Sequence, residues 1–281
     1  MTRPVARIAL LQMTSGTDPA ANARSVAEGV ARAAGEGAAM LFTPEMTNLL
    51  DRDRARAATH IVAEAQDRVL AAAREAAARA GIWVALGSIA VRRESRAGDD
   101  GRYANRSLVI GPDGTIRGRY DKIHMFDVDL ATGESWRESK AYAPGGEVVV
   151  VEDTPVGRLG LAVCYDIRFP ALFEALGQKR CDAIAIPAAF TVPTGRDHWH
   201  LLQRARAVEA SAFVISAAQV GRHEDGRETY GHSLVVGPWG EVLLDMGGEG
   251  PGLGLAEIDP GRLAEVRGQL PALANRRPIP N

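Results

Sequence analysis

The sequence has 281 residues, 46% of them hydrophobic, and its 33 basic and 35 acidic residues leave a formal net charge of −2. This balance gives no electrostatic reason to expect nucleic acid or an anionic membrane as a partner. Its apolar runs are strand-length, far below the ~20 residues of a membrane span, and the segment after Arg7 lacks the form of a signal peptide. We therefore expect a cytoplasmic protein with a single domain over residues 1–281.

The first half of the chain predicts alternating strands and helices. A strand at ARIALLQM precedes a helix over residues 20–36 and a short strand at AMLFTPEM. A long amphipathic helix is predicted over residues 56–80, ending at Gly81, followed by a strand at IWVALGSIAV. The segment NRSLVIGPDGTIRGRYDK predicts a hairpin that turns at residues 112–114.

The second half repeats this order of elements. Strands are predicted at GRLGLAVCYD, DAIAIPAAF and FVISAAQV, with helices over residues 170–179 and at RDHWHLLQRARAVEASA, before a hairpin at GHSLVVGPWGEVLLDM. The segment SLVVGPWGEV lies 126 residues after SLVIGPDGTI, which indicates an internal duplication. Two such copies predict an α/β protein in which two mixed sheets pack face to face with helices outside, a four-layer α-β-β-α sandwich.

Two cysteines need separate explanations. A single disulfide is not expected in a cytosolic chain of this size. Cys181, at the entry to a buried strand, has the sequence context of a small hydrophobic core residue. Cys164 ends an apolar strand and is followed at once by polar residues, so core residue, metal ligand and nucleophile all remain open for it.

Topology brings three reactive side chains to one edge of the fold. Glu45 and Cys164 follow predicted strands, where sites in α/β sheets gather, and Lys122 ends the first hairpin. If these residues form an active site, Glu45 would be the base that activates the Cys164 thiol. The Lys122 ammonium and the backbone N–H groups after Cys164 would stabilise the oxyanion. The competing interpretations are a solvated Glu45 and a Lys122 in a salt-bridged hairpin. Asp166 and Arg168 are expected to form a buried ion pair that braces the turn, with substrate contact by either residue as the alternative.

The segments LFTPEM, RYDKIHMFDVD and GLAVCYDIRFP resemble the three signature segments of the nitrilase superfamily of carbon–nitrogen hydrolases. This resemblance implies an αββα fold, with Glu45 as general base, Lys122 as oxyanion stabiliser and Cys164 as nucleophile. The family has a further glutamate several residues before a Pro-Gly pair. Glu138 in RESKAYAPGG fits that position better than the competing Glu134 in TGESW.

The mechanism implied by this resemblance is acyl transfer through a thioester. Cys164 attacks the amide carbon while Lys122 and the Tyr165 backbone N–H hold the oxyanion. No nucleotide, redox cofactor or metal is expected to take part. Four histidines are candidates for a metal site: His198, His200, His223 and His232. The first two point to opposite sides of a helix, so they are poorly placed to coordinate one ion together.

Two further segments, AFTVPTGRDHW and AAQVGRHEDGRETYGHS, resemble the deaminated glutathione amidases of this superfamily. The expected substrate is therefore a small anionic amide, with Arg196, Arg222 and Arg227 as candidates to bind its carboxylates. ω-Amidase, nitrile hydrolysis and N-carbamoyl hydrolysis are the enzymatic alternatives. A catalytically silent interaction scaffold is the alternative from another class, and rapid alkylation of a low-pKa thiol at Cys164 would argue against it.

A homodimer or a larger homo-oligomer is also expected. The helix after Cys164 carries the apolar residues Phe173 and Leu176, and the resemblance places the contact between subunits there. A two-fold contact of that helix with its copy would bury apolar surface from both subunits.

Overall fold

The computed structural model describes residues 3–94, 100–131, 133 and 135–277. Across these residues the helices are α1 (Pro19–Gly35), α2 (Arg54–His60), α3 (Arg68–Ala80), α4 (Pro170–Gln178), α5 (Val192–Ala210) and α6 (Pro260–Gln269). The strands of the first half are β1 (Ala6–Gln12), β2 (Met40–Phe42), β3 (Trp83–Arg92), β4 (Tyr103–Ile110), β5 (Ile116–Asp121), β6 (Asp127–Asp129) and β7 (Ser135–Arg137). Those of the second half are β8 (Val150–Thr154), β9 (Gly157–Leu161), β10 (Ala183–Ala185), β11 (Phe213–Ser216), β12 (Val220–Arg222), β13 (Glu228–Tyr230), β14 (Leu234–Val236), β15 (Val242–Asp245) and β16 (Gly252–Ile258).

Two six-stranded mixed sheets carry the fold, and their strand orders match. The first sheet has the order β16-β1-β2-β3-β4-β5. The second sheet, read in the corresponding direction, has the order β8-β9-β10-β11-β14-β15. In each sheet three parallel strands are followed by an antiparallel hairpin, β4–β5 or β14–β15, and one antiparallel strand covers the other edge. The internal duplication predicted from the sequence is confirmed.

The sheets pack face to face with helices outside, which confirms the four-layer sandwich. Along β1, Ile8 and Leu10 belong to a core shared with the second sheet, whereas Ala9 and Leu11 belong to a core shared with α1 and α3. This alternation is the two-residue period of a strand buried on both faces. Helices α4 and α5 contribute to the same core as the second sheet from its outer side.

The prediction of one long helix over residues 56–80 is wrong, because the chain forms two helices there, α2 and α3. Ile61 leaves the helical region, and Asp67 caps α3 by accepting a hydrogen bond from the Leu70 N–H at 2.8 Å. Asp67 is buried and also accepts from the Asn48 side chain at 2.7 Å. A capping carboxylate held in this way starts a new helix even where the apolar period continues.

The subunit contact predicted at Phe173 and Leu176 does not agree with the structure. Both side chains are fully buried in the core shared by α4 and the second sheet, so neither is available to a partner. Among the described residues, no helix has the length and apolar character needed to cross a membrane.

Candidate active site

The duplicated sheets place the candidate residues at neighbouring ends of their strands. Glu45 follows β2, Lys122 directly follows β5, and Cys164 opens a 3₁₀ turn after β9. Close packing of the strands around Glu45 depends on Gly87 of β3, because a Cβ atom there would collide with the carbonyl oxygens of Thr43 and Pro44. The predicted convergence of strand ends is therefore observed.

Cys164 occupies a strained turn that faces a cavity. Its φ of 49° lies in the left-handed region, which a residue with a side chain adopts only when its surroundings enforce it. The backbone N–H of Cys164 donates to the Pro187 carbonyl at 2.9 Å, which ties the turn to the end of β10. Cys164 is 8% exposed and lines the cavity, so the thiol is buried but borders the space open to a substrate.

Lys122 lies between two carboxylates. Its Nζ is 2.9 Å from Oε1 of Glu45 and 2.8 Å from Oε2 of Glu138, and its side chain is 2% exposed. Burial alone lowers the pKa of the Lys122 ammonium, but Glu138 and Glu45 outweigh burial and raise the pKa well above its ordinary value. A charged ammonium at the cavity floor can stabilise negative charge that develops on a substrate.

Glu138 rather than Glu134 is the glutamate that the structure places at this cluster. Beyond its contact with Lys122, the Glu138 carboxylate accepts a hydrogen bond from the Phe126 backbone N–H at 2.7 Å. Glu138 begins a 3₁₀ turn after β7 and lines the cavity. Glu134 lies outside the described residues.

Asn105 and the Ala189 N–H also belong to the cluster, and neither was predicted from the sequence. The Asn105 amide donates to Glu45 at 2.9 Å and to Glu138 at 3.2 Å, and the Ala189 N–H donates to the second Glu45 oxygen at 3.0 Å. Asn105 is 1% exposed, and its backbone carbonyl accepts a hydrogen bond from the backbone N–H of Lys122, which joins β4 to the end of β5. A buried amide one strand from a candidate lysine was the available signal.

The thiol of Cys164 does not have the low pKa expected of it. Burial and the neighbouring Glu45 carboxylate raise its pKa well above the ordinary value, and Lys122 only partly opposes them. The resting thiol is therefore protonated at neutral pH. A nucleophilic Cys164 needs Glu45 to remove its proton as the attack occurs.

The predicted ion pair between Asp166 and Arg168 is absent from the described contacts. Asp166 is fully buried and accepts hydrogen bonds from the Tyr120 hydroxyl at 2.7 Å and from the Val163 N–H at 2.9 Å. Its other oxygen accepts from the His124 N–H at 3.0 Å. Asp166 Oδ1 also lies 2.7 Å from the ring Nδ1 of His124. These contacts fix the turn after Cys164, and Arg168 lines the cavity instead.

The cavity above Cys164 has a volume of about 630 Å³, within the ordinary range for small-molecule sites. Eight basic and five acidic side chains line it. Among the described residues, no carboxylate lies within ion-pair distance of the guanidinium group of Arg52 or Arg168. The Arg168 guanidinium lies over the ring of Tyr165, 5.8 Å from its centroid, and is 3.2 Å from a ring nitrogen of His198.

Only one of the three predicted carboxylate-binding arginines reaches this cavity. Arg227 lines it, pairs with Asp225 at 2.8 Å and lies over the Trp136 ring at 4.9 Å. Arg222, the last residue of β12, is exposed and outside the lining. Arg196 lies within α5 rather than on a loop, where it is also exposed and outside the lining.

Cys181, His223 and His198 lie outside the cluster around Lys122, and each contacts other parts of the fold. Cys181 is fully buried, both cysteines are free, and burial raises the pKa of Cys181 to about 12. His223 is buried between the Ser15 carbonyl and the Thr229 hydroxyl. His198 faces Arg168, on a different side of α5 from His200, as predicted.

Comparison with known proteins agrees with this architecture. A family model described as carbon–nitrogen hydrolase matches residues 7–268. A deaminated glutathione amidase from Yersinia enterocolitica is 40% identical over 278 residues, which cover 97% of this chain and 93% of the relative. The crystal structure of Caenorhabditis elegans NitFhit superposes with a TM-score of 0.87 at 34% identity, covering 99% of this chain and 66% of that one. Saccharomyces cerevisiae Nit3, a nitrilase superfamily member, superposes with a TM-score of 0.85 at 27% identity, covering 98% of both chains. This chain therefore belongs to the carbon–nitrogen hydrolase family of the nitrilase superfamily and is a hydrolase of carbon–nitrogen amide bonds.

Proposed function

We propose that Cys164 is the nucleophile of this hydrolase and that Glu45, Lys122 and Glu138 support it. The observation that carries the proposal is one buried cluster, in which Lys122 contacts both glutamates at 2.8–2.9 Å beside the thiol. Three charges are removed from water here, and such a cluster is costly unless it has a function. A pocket opens directly above it.

The reaction begins when Glu45 takes the thiol proton and Cys164 sulfur bonds to the amide carbon. Lys122 and the Tyr165 backbone N–H stabilise the oxyanion. The carbon–nitrogen bond breaks, and the leaving amine departs with the proton held by Glu45. Glu45 then removes a proton from water as the water oxygen attacks the thioester carbon. The carbon–sulfur bond breaks, the carboxylic acid leaves, and Glu45 returns the proton to the Cys164 thiolate. Glu138 holds Lys122 and positions the water.

Deaminated glutathione is the substrate that the cavity and the relatives support best. The Yersinia enterocolitica relative carries that activity in its name, and this tripeptide has one carboxylate on each side of the amide to be cut. Among the described residues, the guanidinium groups of Arg52 and Arg168 have no carboxylate within ion-pair distance, and both line a cavity whose basic side chains outnumber its acidic ones. Guanidinium groups suit bidentate binding of carboxylates. The products are 2-oxoglutarate and Cys-Gly.

Release of 2-oxoglutarate from two substrates, followed with a coupled dehydrogenase, tests this assignment. Deaminated glutathione is expected to be hydrolysed faster than 2-oxoglutaramate. Faster hydrolysis of 2-oxoglutaramate would assign an ω-amidase instead. Inertness to both, with turnover of a nitrile or an N-carbamoyl compound, would leave the Cys164 chemistry intact and overturn the substrate.

Arg168 offers a sharper test of anion binding. Arg168→Leu should raise KM for deaminated glutathione about 10-fold or more, the cost of one lost charged hydrogen bond, with a smaller change for a neutral amide. Arg222→Leu is the matched control, because Arg222 is exposed and outside the cavity. Equal effects of Arg168→Leu on charged and neutral amides would remove Arg168 from carboxylate binding.

We also propose that the protein is a homo-oligomer, with a contact surface different from the one expected at α4. Five large exposed hydrophobic side chains lie on α5 and the β14–β15 hairpin: Leu201, Val208, Trp239, Val242 and Leu243. Val208 lies against Gly240, so the helix and the hairpin form one apolar surface that a second copy would cover. Sedimentation should show a dimer or larger species that Leu201→Glu dissociates, and a monomer at micromolar concentration would refute the proposal.

A further inference from the structure

Three side chains of metal-binding type meet at the surface, apart from the cavity. His200 lies on α5, His232 lies just before β14, and Asp245 ends β15. Nε2 of His200 is 2.8 Å from the Asp245 carboxylate, and Nδ1 of His232 is 2.9 Å from it. One ligand atom from each residue lies within 4.8 Å of the other two. None of the three lines the cavity.

His232 is held in place by its backbone. Its φ of 54° lies in the left-handed region, which is strained for a residue with a side chain. Its N–H donates to the Gly247 carbonyl at 2.8 Å, and its carbonyl accepts from the indole N–H of the fully buried Trp199 at 2.8 Å. The Tyr230 ring stacks on the imidazole with a centroid distance of 4.3 Å. The ring orientation is thus fixed before any ligand arrives.

Asp245 is oriented in the same way but remains accessible. The Gly247 N–H donates to Oδ1 of Asp245 at 2.9 Å, which leaves Oδ2 for His200. The side chains of His200, His232 and Asp245 are 35%, 24% and 32% exposed. An ion can therefore reach these three side chains from solvent.

We propose that His200 Nε2, His232 Nδ1 and Asp245 bind a divalent transition-metal ion. Two neutral imidazoles and one carboxylate form the donor set that Zn²⁺ prefers, with a fourth position left for water. The ion would join α5 to the hairpin β14–β15. It has no part in the thiol chemistry, because the ligands lie outside the cavity.

The test uses the full chain without a histidine tag, dialysed against chelator and then titrated with Zn²⁺ and with Co²⁺. One ion per chain should bind, Co²⁺ should give a visible d–d absorption, and Zn²⁺ should raise the Tm. His200→Ala should weaken Zn²⁺ binding at least about 10-fold, the scale at which even outer-shell changes act. It should also abolish the rise in Tm.

His60→Ala is the matched control, because His60 is exposed at the end of α2 and does not belong to the group formed by His200, His232 and Asp245. Its Zn²⁺ affinity should equal that of the parent. Absence of stoichiometric binding by the parent, or equal affinity in His200→Ala, would overturn the site. Metal-free protein should keep its amidase activity, so loss of the metal site and loss of the proposed reaction are separately visible.

Discussion

The two halves of the molecule share a topology but differ in what stands at equivalent positions. Strand β1 pairs with β2 as β9 pairs with β10. By this register Cys164 of the second half corresponds to Met13 of the first, and Glu45 of the first half corresponds to Ala188 of the second. Met13 and Ala188 are buried in apolar surroundings and do not line the cavity.

The difference shows that the duplicated scaffold supplies positions and that a few substitutions supply the chemistry. The residues after β9 and β2, Cys164 and Glu45, line the cavity. Met13 and Ala188 instead form backbone hydrogen bonds with residues 217–220, which lead from β11 into β12. The candidate site takes its thiol from one half and its glutamates and lysine from the other. Neither half contains the whole site.

Replacing the thiol should have the largest effect. Cys164→Ala removes the atom that forms the thioester, and the loss of kcat is expected to be about 10⁴-fold or more, as for other nucleophiles. Cys164→Ser should also fail, because a carboxylate deprotonates a hydroxyl poorly. Circular dichroism should show an intact fold. Residual activity above about a hundredth of the parent would exclude the thioester mechanism.

Lys122→Arg should have the next largest effect, a loss of kcat of about 10²-fold or more, which is the scale for removing one oxyanion donor. The substitution keeps the charge, but the planar guanidinium is larger than an ammonium that is 2% exposed between two carboxylates. The measurement is kcat with Tm as a check on folding. Near-normal kcat would make Lys122 a structural counter-ion only.

Asn105→Ala tests the positioning of the two glutamates. Both would lose a donor in a buried site, a cost of about 1–3 kcal/mol, and a loss of roughly 10- to 100-fold in kcat is expected if this cost falls on the transition state. The pH dependence of kcat should shift as well, because Asn105 donates to the Glu45 carboxylate that acts as base. An unchanged pH profile would indicate a structural role alone.

The pH dependence of alkylation reports the state of the thiol. Because burial and Glu45 raise the pKa of Cys164, its iodoacetamide labelling rate should increase about 10-fold per pH unit and still be rising above the ordinary thiol pKa of about 8.5. Mass spectrometry distinguishes it from Cys181, which is fully buried. A rate that is already constant from pH 7 would instead show a preformed thiolate.

The sequence predicted the sandwich, its duplication and the residues around Lys122, because strand periodicity and strand-end motifs are local signals. It did not predict the break before Asp67, which depends on a hydrogen bond from the distant Asn48. It also placed Arg196 and Arg222 at the substrate, although neither lines the cavity, and assigned the cavity-lining Arg168 to an ion pair with Asp166. Which arginine faces a cavity depends on how elements pack, and that is not a periodic property of the sequence.

The smallest effect is expected at the position that corresponds to the nucleophile. Met13 is 5% exposed within the core between the first sheet and its helices, and its backbone bonds to Ala218 and Val220 do not involve the side chain. Met13→Leu conserves volume, so the loss of unfolding free energy should stay below about 1.5 kcal/mol. Amide hydrolysis should remain within about twofold of the parent, since the Met13 side chain does not line the cavity and mutations without shared partners rarely couple. Parallel denaturation and kinetic assays measure both quantities. A large loss of kcat in Met13→Leu would mean that the two halves are coupled through their equivalent strand ends, and that the division between scaffold and chemistry is wrong.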